Sequence, residues 1–193
     1  HIGARAVTIG ARFLRSTSLV DRARPVMRRL MEATGETANL GVEKEGQVLF
    51  LSQVETHANI RAFFPPGTLS AMHASGTGKA RLAQMDEDRL SRRLEGGLQS
   101  FTPRTITDRI ALQEDLARIR ARGYSVDDEE RNLGMRCIAA PVFDAAGEAL
   151  AGISVSGPTS RVTADALDRL SRPVIEAART LTEAIGGQVT RQP

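Results

Sequence analysis

Between residues 3 and 15, Ala6, Ile9, Phe13 and Leu14 recur at helical spacing, which predicts a short amphipathic helix. Ser16-Thr17-Ser18 interrupts it. A second helix is expected over about 19–34, with Val26, Leu30 and Met27 or Met31 on its buried side and Gly35 as its stop. From Thr37 the pattern changes to that of strands. Segments 39–43 and 47–54 flank Lys44-Glu-Gly46 as a hairpin, and Ile60-Arg-Ala-Phe-Phe64 reads as a third strand ended by Pro65-Pro66. Helices are expected near 77–84, 86–94 and 107–122, with Asp86 and Thr107 as N-caps and Gly123 as a stop. Strand segments 124–126, 137–143 and 149–156 follow, the last two joined by the turn Asp144-Ala-Ala-Gly147. A final helix is expected over about 164–185, with Thr163 as its cap and Gly186-Gly187 as its stop. This succession predicts an α/β fold, a sensor-type sandwich in which helices flank a curved, largely antiparallel sheet.

The chain has 193 residues, enough for one main domain with an appended element. Its single cysteine, Cys137, excludes an intrachain disulfide framework and suits a reducing cytoplasm. No apolar run approaches the length of a membrane span, and the start lacks the apolar core of a secretory signal. The first residue is His1 rather than methionine, so the chain is expected to begin inside a longer protein. Seven arginines against Asp21 alone occupy residues 1–30. That basic opening fits either proximity to nucleic acid or a solvated helix face. With few aromatic residues and no recognition helix, the chain by itself is not expected to read DNA sequence.

The densest chemical signal is His73-Ala-Ser-Gly-Thr-Gly-Lys79, a small-residue loop entering a helix. Such an entry offers unpaired amides to a carboxylate or phosphate. A nucleotide-binding Walker A loop is a poor match: His73 stands where the first glycine belongs, and Ala80 replaces the magnesium-binding hydroxyl. Farther on, Ser154 and Ser156 share one face of their strand while Ile153 and Val155 face the other. Cys137 and Ala139 share a face of the preceding strand in the same way. If the two strands pair, they offer two hydroxyls and a thiol to one surface, which suits a small polar acid. A solvent-facing sheet surface is the alternative. Cys137, His73 and Asp127 also have the residue types of a nucleophile, a base and an orienting acid. The sequence does not bring them together, nothing in it activates a thiolate, and no short-spaced ligand motif supports a metal. Neither catalysis, a cofactor nor a metal is expected.

The blocks HASGTGKA (73–80), GYSVDDEE (123–130), GMRCIAAPVFD (134–144) and AGISVSGPTSR (151–161) resemble the effector-binding domain of IclR-family bacterial transcriptional regulators across nearly the whole chain. The resemblance implies a GAF/profilin-like sandwich. It places a linker helix at 1–18 after a missing winged-helix DNA-binding domain, an effector-binding domain at 19–187 and a tail at 188–193. MRRLM (27–31) and the HASG loop look closest to members that sense glyoxylate or allantoin-pathway metabolites. Carried over by motif, effector contacts fall on Ser75, Gly76, Thr77, Asp127, Cys137, Ser154 and Ser156, with Val155 between the serines. Met135 could flex to admit a larger acid. None of these is Arg or Lys. Loop amides and hydroxyls would hold a carboxylate, and Asp127 would accept from a ligand hydroxyl or contribute its amide, because an ionised Asp127 repels an adjacent carboxylate. The resemblance further implies a small carboxylate effector, DNA contact through the missing domain, no membrane, and a homodimer or homotetramer. A sensor module of the same architecture with a non-DNA output is the second reading, and a cysteine-dependent enzyme the third.

Overall fold

The structure, a computed structural model, describes residues 4–189, with side chains described from Leu19 onward. The first residues of the expected linker, most of the expected tail, and the side chains of Ala6, Ile9 and Phe13 therefore lie outside the described residues.

Helix α1 runs unbroken from Ala4 to Thr34. The expected interruption at Ser16-Thr17-Ser18 is absent, since Ser and Thr cost only a few tenths of a kcal/mol each in a helix (~0.5) and no glycine or proline stands there. The amide of Gly35 then closes the helix on the Met31 carbonyl. Strands β1 (Thr37–Lys44) and β2 (Gln47–Val54) pair about the Glu45-Gly46 turn, where both residues take positive φ, as a two-residue hairpin of this twist requires.

Residues 60–64 are not a strand. The amide and carbonyl of Phe50 on β2 are taken by Thr68 and Gly67, and β3 (Leu69–Ala71) occupies the remaining free edge. With no partner left, 60–64 remains an unpaired segment, held where Phe64 stacks on Phe50 at 5.3 Å. A single 3-10 turn, Met72–Ala74, leads into α2 (Gly76–Leu82). Helices α3 (Glu87–Arg93) and α4 (Arg109–Arg122) follow. Asp86 caps α3 as expected. Asp108 rather than Thr107 caps α4, its carboxylate accepting from the Ala111 amide at 2.8 Å. Strands β4 (Ser125–Asp128), β5 (Met135–Phe143) and β6 (Ala149–Pro158) complete the sheet. A 3-10 turn at Ala164–Ala166 precedes α5 (Leu167–Ala184), and Thr163 makes no side-chain cap there.

The six strands form one antiparallel sheet in the order β3-β2-β1-β6-β5-β4. It is curled, with α1 and α5 on its outer face and α2 seated against its inner face. Alternation along the strands sorts the side chains between two cores. Ala38, Leu40, Ile138, Ala140, Ile153 and Val155 pack outward with α1 and α5. Val48 and Phe50 pack inward with Met72, Leu82 and the apolar face of α4. Among the described residues no helix is long and apolar enough to cross a membrane.

Two features seat α2. Gly78 lies so close to the preceding turn that a Cβ there would sit 2.2 Å from the Met72 carbonyl oxygen, so only glycine fits. Lys79, 1 % exposed, places its ammonium between Asp115 of α4 at 2.8 Å and Glu130 of the β4–β5 loop at 2.5 Å. Burial raises the pKa of Glu130, and the lysine works against that rise. Lys79→Met is expected to strand two buried carboxylates and cost on the order of 3–5 kcal/mol in urea denaturation. The loss should be larger at pH 8 than at pH 5, where protons can replace the missing ammonium; an equal loss at both pH values would count against this assignment.

Candidate functional site

Strand register assembles the inner face beneath the start of α2. One row across the sheet runs Asp127–Cys137–Ser156–Thr37, and the next runs Ser125–Ala139–Ser154–Asn39. The sequence placed Cys137 with Ser154 and Ser156 on one face by alternation. The register makes Cys137 the direct partner of Ser156 and adds Thr37, Asn39 and Ser125, which the sequence reading missed. A period-two pattern from Thr37 to Asn39 was present, but nothing in the sequence stated that β1 lies beside β6.

The α2 entry meets these rows at close range. A Cβ on Gly76 would fall 2.8 Å from the Cys137 sulfur, so glycine here lets the helix start touch the sheet. Ser125 donates its hydroxyl to the Gly76 carbonyl at 2.6 Å, and Ser75 caps the helix by accepting from the Gly78 amide at 3.4 Å. Helix α2 has only seven residues. Its contribution is therefore a set of local amides rather than a long dipole.

Polar groups on this surface are unevenly satisfied. Asn39 donates to Ser156 at 3.4 Å and accepts from Gln53 at 3.1 Å. Thr77 Oγ1 and Ser154 Oγ are buried without a hydrogen-bond partner among the described residues, although the Cys137 thiol lies beside Ser154. Leaving a buried hydroxyl unpaired costs about 1–3 kcal/mol. Two such groups, one in the first turn of α2 and one on the inward face of β6, are unusual for a core.

Asp127 accepts from the amides of Glu130 at 2.8 Å and Arg131 at 3.3 Å, both on one carboxylate oxygen. Burial, reinforced by the nearby Glu130 carboxylate, pushes its pKa up to about 7, against the pull of those amides and of Lys79. A neutral Asp127 can donate a proton as well as accept one. This adds side-chain donation to the two roles expected for Asp127, accepting from a ligand hydroxyl or contributing its amide. Burial and the neighbouring Asp127 push the Cys137 thiol up to about 11, against the hydroxyls of Ser156 and Ser154. Such a thiol is a poor nucleophile at neutral pH.

Other candidates fall elsewhere. The side chain of Val155 points into the outer core, so only its main chain passes the site. Met135 lies two residues before Cys137 on β5, on the same face, and lines a cavity to which none of the other proposed contacts contributes. His73 bonds the Gln99 carbonyl at 2.9 Å and tilts against Phe101. It makes no contact with Cys137 or Asp127 that would form a catalytic set. Among the described residues no group of His, Cys, Asp or Glu is arranged to hold a metal ion.

Comparison with known proteins bears on the family and the fold. Residues 11–183 match the family described as bacterial transcriptional regulator IclR, C-terminal. The HTH-type transcriptional regulator BhcR of Paracoccus denitrificans is 61% identical over 183 residues, covering 94% of this chain and 66% of that protein. The chain spans about two thirds of the length of the curated relatives it matches. The crystal structure of Thermotoga maritima IclR superposes with a TM-score of 0.85 at 30% identity, covering 95% of this chain and 75% of that one. The inducer-binding domain of the PobR transcription factor from Acinetobacter, a double mutant in complex with 3-hydroxybenzoic acid, superposes with a TM-score of 0.75 at 28% identity, covering 83% of this chain and 95% of that domain. The relatives are named as transcriptional regulators and not as enzymes, and the neighbours share the GAF-like sandwich. The chain belongs to the IclR C-terminal family and is its effector-binding domain.

Proposed function

We propose that this domain binds a small carboxylate metabolite of the glyoxylate or pyruvate class among Ser75, Gly76, Thr77, Asp127, Cys137, Ser154 and Ser156. The observation that carries the reading is the pair of partnerless buried hydroxyls, Thr77 Oγ1 in the first turn of α2 and Ser154 Oγ on the inward face of β6. A ligand with several oxygens offsets the cost of leaving them unpaired, whereas a purely apolar ligand does not. The PobR domain, bound to 3-hydroxybenzoic acid, supports a carboxylic acid as ligand on this scaffold, there an aromatic one. No arginine or lysine side chain belongs to the proposed contact set. The carboxylate is held by hydroxyls, amides and the protonated form of Asp127.

In the full-length protein, residues 1–18 act as a linker that continues from a winged helix-turn-helix domain, residues 19–187 form the sensor and 188–193 a tail. The protein works in the cytoplasm as a homodimer or homotetramer. Effector binding favours one arrangement of the α1 helices between protomers, and so changes DNA affinity by its preference for that arrangement.

Calorimetry with glyoxylate and pyruvate tests the site. Ser154→Ala and Ser156→Ala are each expected to weaken binding by about 0.5–1.5 kcal/mol, the usual net value of a hydrogen bond. Their effects on the unliganded protein should differ in sign. Removing the partnerless Ser154 hydroxyl is expected to raise the melting temperature, while removing Ser156 strips Asn39 of an acceptor and lowers it. Unchanged affinity in both variants would sink the placement.

The pH dependence follows from Asp127. Its folded pKa of about 7 exceeds the ordinary value of 3.8, so its contribution to stability is fully present below about pH 4 and is lost as pH rises through 7. A proton on Asp127 likewise favours a bound carboxylate. Affinity for pyruvate is expected to fall between pH 6 and 8 in the unmodified protein. Asp127→Asn keeps both an acceptor for the two amides and a donor for the ligand, so it should flatten that profile. A profile equally steep in the variant would remove Asp127 from the role.

A further inference from the structure

Beside Met135, at the start of β5, lies a cavity of about 410 Å³. Its walls come from the β2–β3 connection, with Arg61, Phe63 and Phe64, from the β4–β5 loop, with Arg131, and from Met135 at the start of β5; Ser70 of β3 lies between. The connection is tied down at several points. Thr56 donates to the Gly35 carbonyl at 2.7 Å, and Arg161, paired with Glu36 at 2.6 Å, also donates to the Ile60 carbonyl at 2.8 Å. This wall is a held structure rather than a loose loop.

The two cations on the walls differ. Arg61 is neutralised by Glu55 at 2.6 Å. Arg131 is half-buried, and its guanidinium lies 4.0 Å from the centre of the Phe101 ring, yet no carboxylate lies within ion-pairing distance among the described residues. The other cations nearby do not offset it. Lys79 is engaged by two carboxylates, and His73 is disfavoured from protonation chiefly by burial, with the charges of Lys79 and Arg131 adding to it. A partly desolvated guanidinium without a counter-ion is costly unless something anionic visits it. Arg131 is also joined to the site through its own backbone, because its amide holds the Asp127 carboxylate at 3.3 Å. Met135, on the same cavity wall, stands two residues before Cys137 on one face of β5.

We infer that this cavity is the entry vestibule of the effector site and that Arg131 is a specificity residue, drawing in organic acids by charge and rejecting their neutral analogues. The inference rests on the effector-site reading above and adds a residue to it. A lone cation on low-dielectric walls concentrates anions and raises their association rate, in a way that salt suppresses. Once inside, the acid is hydrogen-bonded by hydroxyls, amides and a neutral carboxyl, while the guanidinium still acts on its charge through the low-dielectric wall. Charge attraction and hydrogen bonding are thus assigned to different residues. The aromatic contact with Phe101 keeps the guanidinium stationed at the wall without neutralising it.

The test uses pyruvate and its uncharged amide, pyruvamide, with the intact chain, its Arg131→Gln and Arg131→Lys variants, and Ser154→Ala as a control within the site. Association rates and affinities are measured at low ionic strength and at about 1 M salt, where the screening length falls to about 3 Å. Arg131→Gln is expected to slow pyruvate association and weaken its binding by about three- to tenfold at low salt. The difference should shrink at high salt, Arg131→Lys should recover most of it, and pyruvamide should be unaffected. If Arg131→Gln binds pyruvate as well as the unmodified chain while Ser154→Ala binds it poorly, the vestibule role falls and the effector site stands. Equal weakening of pyruvate and pyruvamide would overturn the charge role by showing a structural effect through Asp127 or Phe101. Failure of any small acid to bind the unmodified chain would overturn both readings.

Discussion

One buried ammonium joins the parts of this molecule on which the site depends. Lys79 is wholly inside, and the carboxylates it meets come from α4, 36 residues away, and from the β4–β5 loop, 51 residues away. An unpaired charge in that position would cost several kcal/mol (~5), so the three elements must arrive together or not at all. The same residue fixes the register of α2 against the sheet and so the height of Gly76 over Cys137. It also lies behind Asp127, where it moderates the effect of burial and of Glu130 without cancelling it. The protonation behaviour of the site is thus a by-product of how the helix is anchored.

A second constraint is spatial. Small residues at the α2 entry and on β5 and β6 let the helix start lie flush on strands that carry hydroxyls in place of aliphatic side chains. A close-packed interface built from Ser, Thr and Gly does not give every oxygen a protein partner among the described residues. The two partnerless hydroxyls are the residue of that compromise. Comparable groups in an ordinary core would be selected against, since replacement by alanine removes the desolvation cost at no loss of volume that matters.

Local features of the fold were legible in the sequence because the physics that makes them is local. The Glu45-Gly46 turn, the caps at Asp86 and Gly123, and the β5–β6 hairpin each depend on a few adjacent residues. Two-residue alternation placed both serines with the cysteine, and only the register against β1 was needed to finish the row. Segment 60–64 shows the limit: its composition suits a strand, but whether it pairs depends on which residues already hold the edge of β2. The buried lysine was hidden for a similar reason. Lysine is rarely interior, and its partners are distant in sequence. A trace existed in α4, where Asp115 stands among Leu112, Leu116 and Ile119 on what is otherwise an apolar face. The break expected in α1 came from overweighting three hydroxyl residues whose helix penalty is small.

Strand β6 has a position that matters beyond the residues it presents. Ser154 and Ser156 look inward, while Ile153 and Val155 look outward into the core shared with α1 and α5. Successive side chains of a strand project from opposite sides of the same backbone. The strand is therefore a partition one peptide thick, and it cannot roll about its long axis on one side alone. A few degrees of roll that brings the serine hydroxyls toward a guest turns the two aliphatic side chains by the same angle against α1. The interior surface and α1 are separated by a pivot, with no chain of intermediate residues between them.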